Sequence, residues 1–167
     1  MTLEEAIKTA IAYEIKIRDL YREVADRVSD PVGRRLMQRL GDDEQYHADY
    51  LRGRLEAWQR TGQLTLERLD SAIPDRESLT RAAARVGKEM PREDLGDEKL
   101  FLSRALQVEV ETSGFYRQMV REMTDTARDM FARFLAIEEG HIAAVQAELD
   151  YLSKTGYWFG IKEFDME

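Results

Sequence analysis

The chain has 167 residues, enough for one domain with its own hydrophobic core, and it contains no cysteine. Disulfides and thiolate metal sites are thereby excluded, and the absence of cysteine is compatible with a reducing compartment. The formal net charge is -8 and the 25 lysines and arginines are not gathered on one face, which argues against nucleic-acid binding. No apolar run approaches the roughly 18 residues of a membrane span, and the N-terminus is acidic, unlike a signal peptide. We expect a cytoplasmic protein without membrane or nucleic-acid partners.

The first predicted helix runs from about Leu3 to Val28. Thr2 precedes Glu5 by three residues, the pattern of a capping box, in which each side chain bonds to the other residue's free backbone amide. Spacings that alternate between three and four place one set of side chains on a single inward face. This face consists of Ile7, Ala10, Glu14, Ile17, Tyr21, Val24 and Val28.

Asp30 followed by Pro31 predicts the start of a second helix, because aspartate can cap a helix and proline fits its first position. This helix is expected to run to about Arg60, before Thr61 and Gly62 end it. Its inward face consists of Leu36, Leu40, Glu44, His47, Leu51, Leu55 and Trp58.

A long connection is predicted over about 62–96, where prolines and glycines recur and no strong apolar face is found. One short helix, from about Ser78 to Val86, is expected within it. A connection of this length can cross the whole length of a helical bundle, whereas short turns join antiparallel neighbours.

Two further long helices follow the connection. The third begins at about Asp97, and its inward face consists of Leu102, Ala105, Glu109, Thr112, Tyr116, Met119 and Met123. Thr124 and Asp125 are predicted to cap the fourth, which ends near Gly156. The inward face of the fourth helix consists of Phe131, Phe134, Glu138, His141, Val145, Leu149 and Leu152.

An internal repeat indicates how these helices are arranged. The pattern Ala-x-x-x-Glu-x-x-x-x-x-x-Tyr is found from Ala10 to Tyr21 and again from Ala105 to Tyr116, and Glu-x-x-His occurs in both of the other long helices. We therefore predict a single all-α domain over residues 1–167, a four-helix bundle of two antiparallel hairpins joined by the long crossover.

Each of the four inward faces is interrupted near its middle by a glutamate, and on two of them a histidine follows three residues later. These residues are Glu14, Glu44, His47, Glu109, Glu138 and His141. Unpaired carboxylates in a low-dielectric interior cost several kcal/mol each, so carboxylates that converge at one level must be neutralised. Two divalent cations would balance a charge of about -4, and neutral imidazoles add ligands without adding charge. The pattern predicts a two-metal site.

Residues three apart on a helix lie side by side, so each Glu-x-x-His pair can offer one carboxylate and one nitrogen to a single ion. Glu14 and Glu109 are then expected to bridge or cap the two ions. A lone Glu-x-x-His is more often a solvated helix face. Here the only two histidines of the chain both follow an inward-facing glutamate, which favours a site.

Two tyrosines lie on the same faces as these glutamates. Tyr21 and Tyr116 are two turns beyond Glu14 and Glu109, where their hydroxyl groups could hydrogen-bond to metal-binding carboxylates. The alternative is that they are core aromatics with an otherwise satisfied hydroxyl. Four other acidic residues are expected to face water, namely Asp42, Asp43, Glu111 and Glu139.

The sequence resembles the ferritin-like superfamily, and within it the rubrerythrins. The resemblance covers about Leu3 to Thr155 and rests on Ala10-x-x-x-Glu14, Glu44-Gln45-Tyr46-His47, Ala105-x-x-x-Glu109 and Glu138-Glu139-Gly140-His141. It implies two iron ions per chain, although manganese or mixed pairs use the same ligands. It also implies a redox activity, the oxidation of ferrous iron or the reduction of peroxide or dioxygen.

The sequence departs from rubrerythrins at two points. Rubrerythrins usually have another glutamate one turn after the third-helix ligand, and Thr112 occupies that position, which puts the family's peroxidase mechanism in doubt. They often carry a rubredoxin-like cysteine domain as well, so this cysteine-free chain would need an external electron donor.

Two other functions fit the same residues. An iron-binding or storage module would take up metal without catalytic turnover and would need a closed shell of subunits. A metal-free helical scaffold would share protons among its carboxylates and recruit a partner. The aromatic tail, residues 156–167, is predicted to fold back on the bundle or to pack on a second subunit, and a homodimer is expected.

Overall fold

The computed structural model describes residues 1–83, 96–156 and Trp158. These residues form five helices and no strand: α1 (Leu3–Arg27), α2 (Pro31–Thr61), α3 (Arg76–Ala83), α4 (Gly96–Glu122) and α5 (Asp125–Thr155). The predicted all-α bundle is confirmed. The short helix begins two residues earlier than expected, and Val86, its predicted end, lies outside the described residues.

Local sequence accounts for where the long helices begin and end. Thr2 and Glu5 form the predicted capping box, with the Glu5 amide 3.2 Å from Thr2 Oγ1 and the Thr2 amide 2.8 Å from Glu5 Oε2. Asp30 accepts a hydrogen bond from the Val32 amide at the start of α2. Thr124 does occupy the cap position of α5, but its side chain makes no capping hydrogen bond. The hydroxyl of Thr124 donates instead to the carboxylate of Asp125, at 3.1 Å.

Contacts between side chains show that neighbouring long helices are antiparallel. In the first hairpin, Gln59 bonds to Glu4 and Arg18 bonds to Gln45, so residue numbers rise along α1 as they fall along α2. The second hairpin is paired in the same sense, since Phe115 of α4 contacts Phe131 of α5, whereas Glu109, earlier in α4, lies 3.7 Å from His141, later in α5.

Helices α1 and α4 are also antiparallel, because Tyr21 contacts Glu109 and Tyr116 contacts Glu14. It follows that α2 and α4 run in the same direction, so the chain between them must return along the length of the bundle.

The apolar core is divided into two clusters. One is built around Ile17, Leu40, Leu102, Val145 and Leu152. The other is built around Ile7, Leu51, Met119, Phe131 and Phe134. Along each of the four long helices, the glutamates and histidines of the predicted metal site fall between these two clusters. The bundle therefore holds a polar layer with an apolar half on each side of it.

Part of the crossover packs on the bundle beside this layer. Leu69, Ile73 and Leu79 are buried, and α3 packs against α5. Gly140 of α5 permits this approach, because a Cβ atom there would lie 3.2 Å from the Pro74 carbonyl oxygen. The crossover is thus positioned over the middle of α5, next to His141.

Trp158 shows where the start of the aromatic tail lies. Its side chain is buried and its indole nitrogen donates to Glu98 Oε2 at 3.0 Å. The prediction that the tail folds back on the bundle is met at this residue, and the rest of the tail lies outside the described residues. Among the described helices, none combines the length and apolar character needed to cross a bilayer.

Candidate metal centre

The structure brings all the predicted metal-binding side chains into the polar layer. Helices α1 and α4 each supply a glutamate, and α2 and α5 each supply a glutamate and a histidine. The helical spacing of three residues places each histidine beside the glutamate of its own helix. All are fully buried: Glu14, Glu44, His47, Glu109, Glu138 and His141.

These side chains form two overlapping clusters, in each of which the potential ligand atoms lie within 4.8 Å of one another. The first cluster is Glu14, Glu44, His47 and Glu138. The second cluster is Glu44, Glu109, Glu138 and His141.

Glu44 and Glu138 are common to both clusters, whereas Glu14 and Glu109 belong to one each. Glu14 and Glu109 were predicted to bridge or cap the two ions, whereas the residues common to both clusters are the glutamates of the two Glu-x-x-His pairs.

Both imidazoles present the same nitrogen to the carboxylates. His47 Nδ1 lies 3.1 Å from Glu44 Oε2 and 3.4 Å from Glu14 Oε2. His141 Nδ1 lies 2.6 Å from Glu44 Oε1 and 3.7 Å from Glu109 Oε1. The two rings are stacked, with centroids 5.7 Å apart. Nδ1 is therefore the nitrogen that each histidine could offer to a metal ion.

Buried polar atoms without hydrogen-bond partners test whether the layer fits metal ions. Each of the six residues has at least one such atom, and for Glu138 both carboxylate oxygens are unpartnered. Buried polar groups are nearly always hydrogen-bonded, because leaving them unpaired is costly. Carboxylate oxygens and imidazole nitrogens suit divalent iron or manganese. The residues present thus fit a pair of such cations.

The pKa values of the carboxyl groups also show that their charged forms are unfavourable in this buried layer. Burial, reinforced by the charge of Glu44, raises the pKa of Glu14 to about 8. Burial likewise raises the pKa of Glu109 to about 7 and that of Glu138 well above its ordinary value. Burial alone would raise the pKa of Glu44 too, but the neighbouring His141 and His47 hold it below its ordinary value. Without cations, the layer must therefore retain protons.

The histidines hold some of those protons. Burial by itself would lower the pKa of His47, but hydrogen bonds and attraction to Glu14 and Glu44 raise it to about 10. The pKa of His141 is raised in the same way, mainly by Glu44 and Asp43, against the effect of burial. Metal ions would have to displace these protons, as they do at other imidazole and carboxylate sites.

The two predicted tyrosines donate hydrogen bonds to carboxylates of the layer. Tyr21 donates to Glu109 Oε1 and Tyr116 donates to Glu14 Oε1, so each crosses to the glutamate of the other hairpin. Burial, and then the adjacent glutamate, raises the pKa of each phenol well above its ordinary value. Both hydroxyl groups stay protonated and can fix the orientation of these carboxylates.

Asp43 is the residue of this site that the sequence analysis missed. It was expected to face water, and that prediction is wrong, because Asp43 is only 5% exposed. Its Oδ2 accepts a hydrogen bond from His141 Nε2 at 2.9 Å. Residues four apart share a helix face, so the position of Asp43 one turn before His47 was the available indication. Asp42 is exposed, as predicted.

Thr112 adds no carboxylate at the position where rubrerythrins usually have another glutamate. It is buried, and its hydroxyl donates to the Val108 carbonyl oxygen at 2.9 Å. This is an ordinary bond of a threonine within its own helix. The layer therefore has the ligands of its four glutamates and two histidines only, among the residues that the structure describes.

A comparison with protein families gives a match over the first hairpin. The rubrerythrin family model matches residues 1–55, which contain α1 and most of α2 with Glu14, Glu44 and His47. No curated protein matches the sequence significantly. The first hairpin is therefore similar to rubrerythrins, and this match, together with the buried carboxylate and histidine layer, supports a rubrerythrin-like domain with a candidate metal site.

Proposed function

We propose that the protein is a di-iron oxidoreductase that oxidises ferrous iron or reduces peroxide or dioxygen, using electrons from an external donor. One observation carries this proposal: four glutamates and two histidines from both hairpins converge in a fully buried layer, each with an unpartnered polar atom. A structural role alone does not account for unpaired carboxylates between the two apolar clusters of the bundle.

The two overlapping clusters would hold one iron ion each, with Glu44 and Glu138 contributing to both. When bound, an iron pair among anionic oxygen ligands supplies electrons to an oxidant, because such ligands favour the ferric state. Tyr21 and Tyr116 hold Glu109 and Glu14 in place through their hydroxyl groups.

The apolar halves of the core limit the access of water to the layer. The ring of Phe134 packs against both His47 and Tyr116, with centroids 5.7 Å and 5.1 Å away. A site enclosed in this way retains strong electrostatic interactions between its charged groups.

The first experiment measures metal content and turnover together. Protein produced in iron-supplemented medium is expected to contain about two iron ions per chain, as in other di-iron bundles. After anaerobic reduction, its absorbance is followed on addition of peroxide and, separately, of dioxygen. Rapid oxidation by either supports the proposal, and a centre that stays ferrous for hours with both refutes it.

A matched pair of variants controls this experiment. Glu138→Gln removes a shared carboxylate and should abolish both iron loading and oxidation. Glu139→Gln changes the adjacent residue, which is partly exposed and pairs with Arg117 at 3.5 Å, and should leave both unchanged. Equal loss in the two variants would mean that the layer is not the site.

The assembly state separates this proposal from iron storage. We propose a homodimer. Light scattering is expected to give twice the mass of the 19.4 kDa chain. A closed shell of many subunits would favour storage of iron instead.

A further inference from the structure

The internal repeat that relates the two hairpins is not kept at one position beside the metal-binding layer. Glu44 and His47 of α2 correspond to Glu138 and His141 of α5, so the residue before each glutamate is also equivalent. That residue is Asp43 in the first hairpin and Ile137 in the second. Both are buried, yet only one can accept a hydrogen bond from an imidazole.

Asp43 is fixed by the crossover. Its Oδ2 accepts a hydrogen bond from Ser71 Oγ at 2.6 Å, and its Oδ1 accepts one from the Ala72 amide at 2.9 Å. Its Oδ2 also accepts from His141 Nε2. The carboxylate is therefore held by groups from outside its own helix, and it reaches the histidine of the other hairpin.

The two histidines differ as a result. His141 donates Nε2–H to Asp43, which leaves Nδ1 facing Glu44, 2.6 Å away. His47 Nε2 lies 3.7 Å from Asp43 and has no hydrogen-bond partner. The tautomer and ring orientation needed for a metal bond at Nδ1 are thus set in advance for His141 alone.

We propose that Asp43, held by Ser71 and Ala72, is a positioning residue for His141 and makes the second cluster, Glu44, Glu109, Glu138 and His141, bind metal first and more tightly. This inference rests on the proposed function, because it requires the layer to be a metal centre. It extends that function by proposing the order in which metal ions bind to the two clusters, whose ligands are nearly equivalent in the sequence repeat.

The test is a titration of metal-free protein with Co²⁺, followed by visible absorption and by competition with a chelator. Wild-type protein should bind two equivalents in two distinguishable steps. Asp43→Asn should weaken the tighter step by roughly 10–100-fold, the usual effect of losing an outer partner of a metal-binding histidine. Asparagine has one acceptor oxygen, so it cannot serve both the Ala72 amide and His141.

Histidine variants distinguish this role from a general loosening of the fold. In a His47→Ala background, where the second cluster keeps all its ligands, Asp43→Asn should still lower Co²⁺ affinity by the same factor. In a His141→Ala background it should have no further effect. Asp42→Asn, at the exposed neighbouring position, should bind Co²⁺ as wild type does.

Ser71→Ala provides a second route if Asp43→Asn does not fold. It keeps the carboxylate but removes one group that holds it, and it should weaken the tighter step by a smaller factor. Two equal steps in wild-type protein, or equal weakening of both steps in Asp43→Asn, would overturn the inference while leaving the metal centre intact. Wild-type protein that binds neither Co²⁺ nor Fe²⁺ would overturn the proposed function itself.

Discussion

The two hairpins, α1 with α2 and α4 with α5, carry the same ligand pattern in different surroundings. Each supplies one glutamate from its first helix and a Glu-x-x-His pair from its second. The first hairpin has in addition a complete capping box at Thr2 and the buried Asp43. In the second hairpin, Ile137 takes the place of Asp43, and Thr124 at the start of α5 makes no capping bond, whereas Asp30 caps α2 in the first hairpin. Equivalent ligands therefore do not make equivalent sites.

Neither hairpin contains a complete metal cluster. The first cluster takes Glu138 from the second hairpin, and the second cluster takes Glu44 from the first. The tyrosines cross between the hairpins in the same way. Each metal cluster can therefore form only when the two hairpins pack together. Substitutions at equivalent positions of the two hairpins can show how far the hairpins are interchangeable.

The largest effect is expected from the shared glutamates. Glu44→Gln and Glu138→Gln each remove a carboxylate from both clusters, so each should lose both metal ions. Glu14→Gln and Glu109→Gln each affect one cluster and should retain about one equivalent, since the other cluster keeps its ligands. Metal content measured by mass spectrometry separates these outcomes. Identical stoichiometry in all four variants would contradict the overlapping arrangement.

Removal of metal should weaken both hairpins together. A ligand at 100 times its dissociation constant stabilises the folded state by about 2.7 kcal/mol per site, so chelation should lower the free energy of unfolding by at least that amount. Urea denaturation of loaded and chelated protein measures this difference, and amide exchange should accelerate in α1, α2, α4 and α5 alike. Acceleration confined to one hairpin would show that the clusters do not join the two.

The packing of Trp158 on α2 provides a third comparison. A Cβ atom at Gly33 would lie 2.5 Å from the Trp158 ring, so Gly33→Ala should cost about 1–3 kcal/mol through overpacking. Gly53 lies in the same helix with nothing within 4 Å of such an atom. Gly53→Ala should therefore stabilise the protein, by up to about 1 kcal/mol. Thermal unfolding measures both, and a neutral Gly33→Ala would mean that the indole does not pack there in solution.

The smallest difference in stability is expected between substitutions at the N-caps of α1 and α5. Thr2→Ala removes a capping box and should cost about 1 kcal/mol, whereas Thr124→Ala removes a side chain that makes no capping bond and should be close to neutral. Chemical denaturation of the two variants checks the contrast. Equal costs would show that Thr124 caps α5 after all.

The helices and the residues of the polar layer could be predicted from the sequence, because apolar residues recur along the chain with the period of an α-helix. A helix repeats every 3.6 residues, so the position of Glu14 or His141 relative to apolar neighbours fixes which face it shares. The capping box at Thr2 and the proline at the start of α2 are equally local, which is why these helix ends were predicted to within a residue or two. The composition of the polar layer followed from the same periodicity.

Only the tertiary structure decided which groups meet across helices. Periodicity assigned Asp43 to the surface because it lies beside the inward face, yet the crossover covers that flank and buries the carboxylate with His141. The sharing of Glu44 and Glu138, and the exchange of Tyr21 and Tyr116 between hairpins, are likewise absent from any single helix. One-dimensional patterns give the face of a helix, whereas distances between faces depend on how the helices pack.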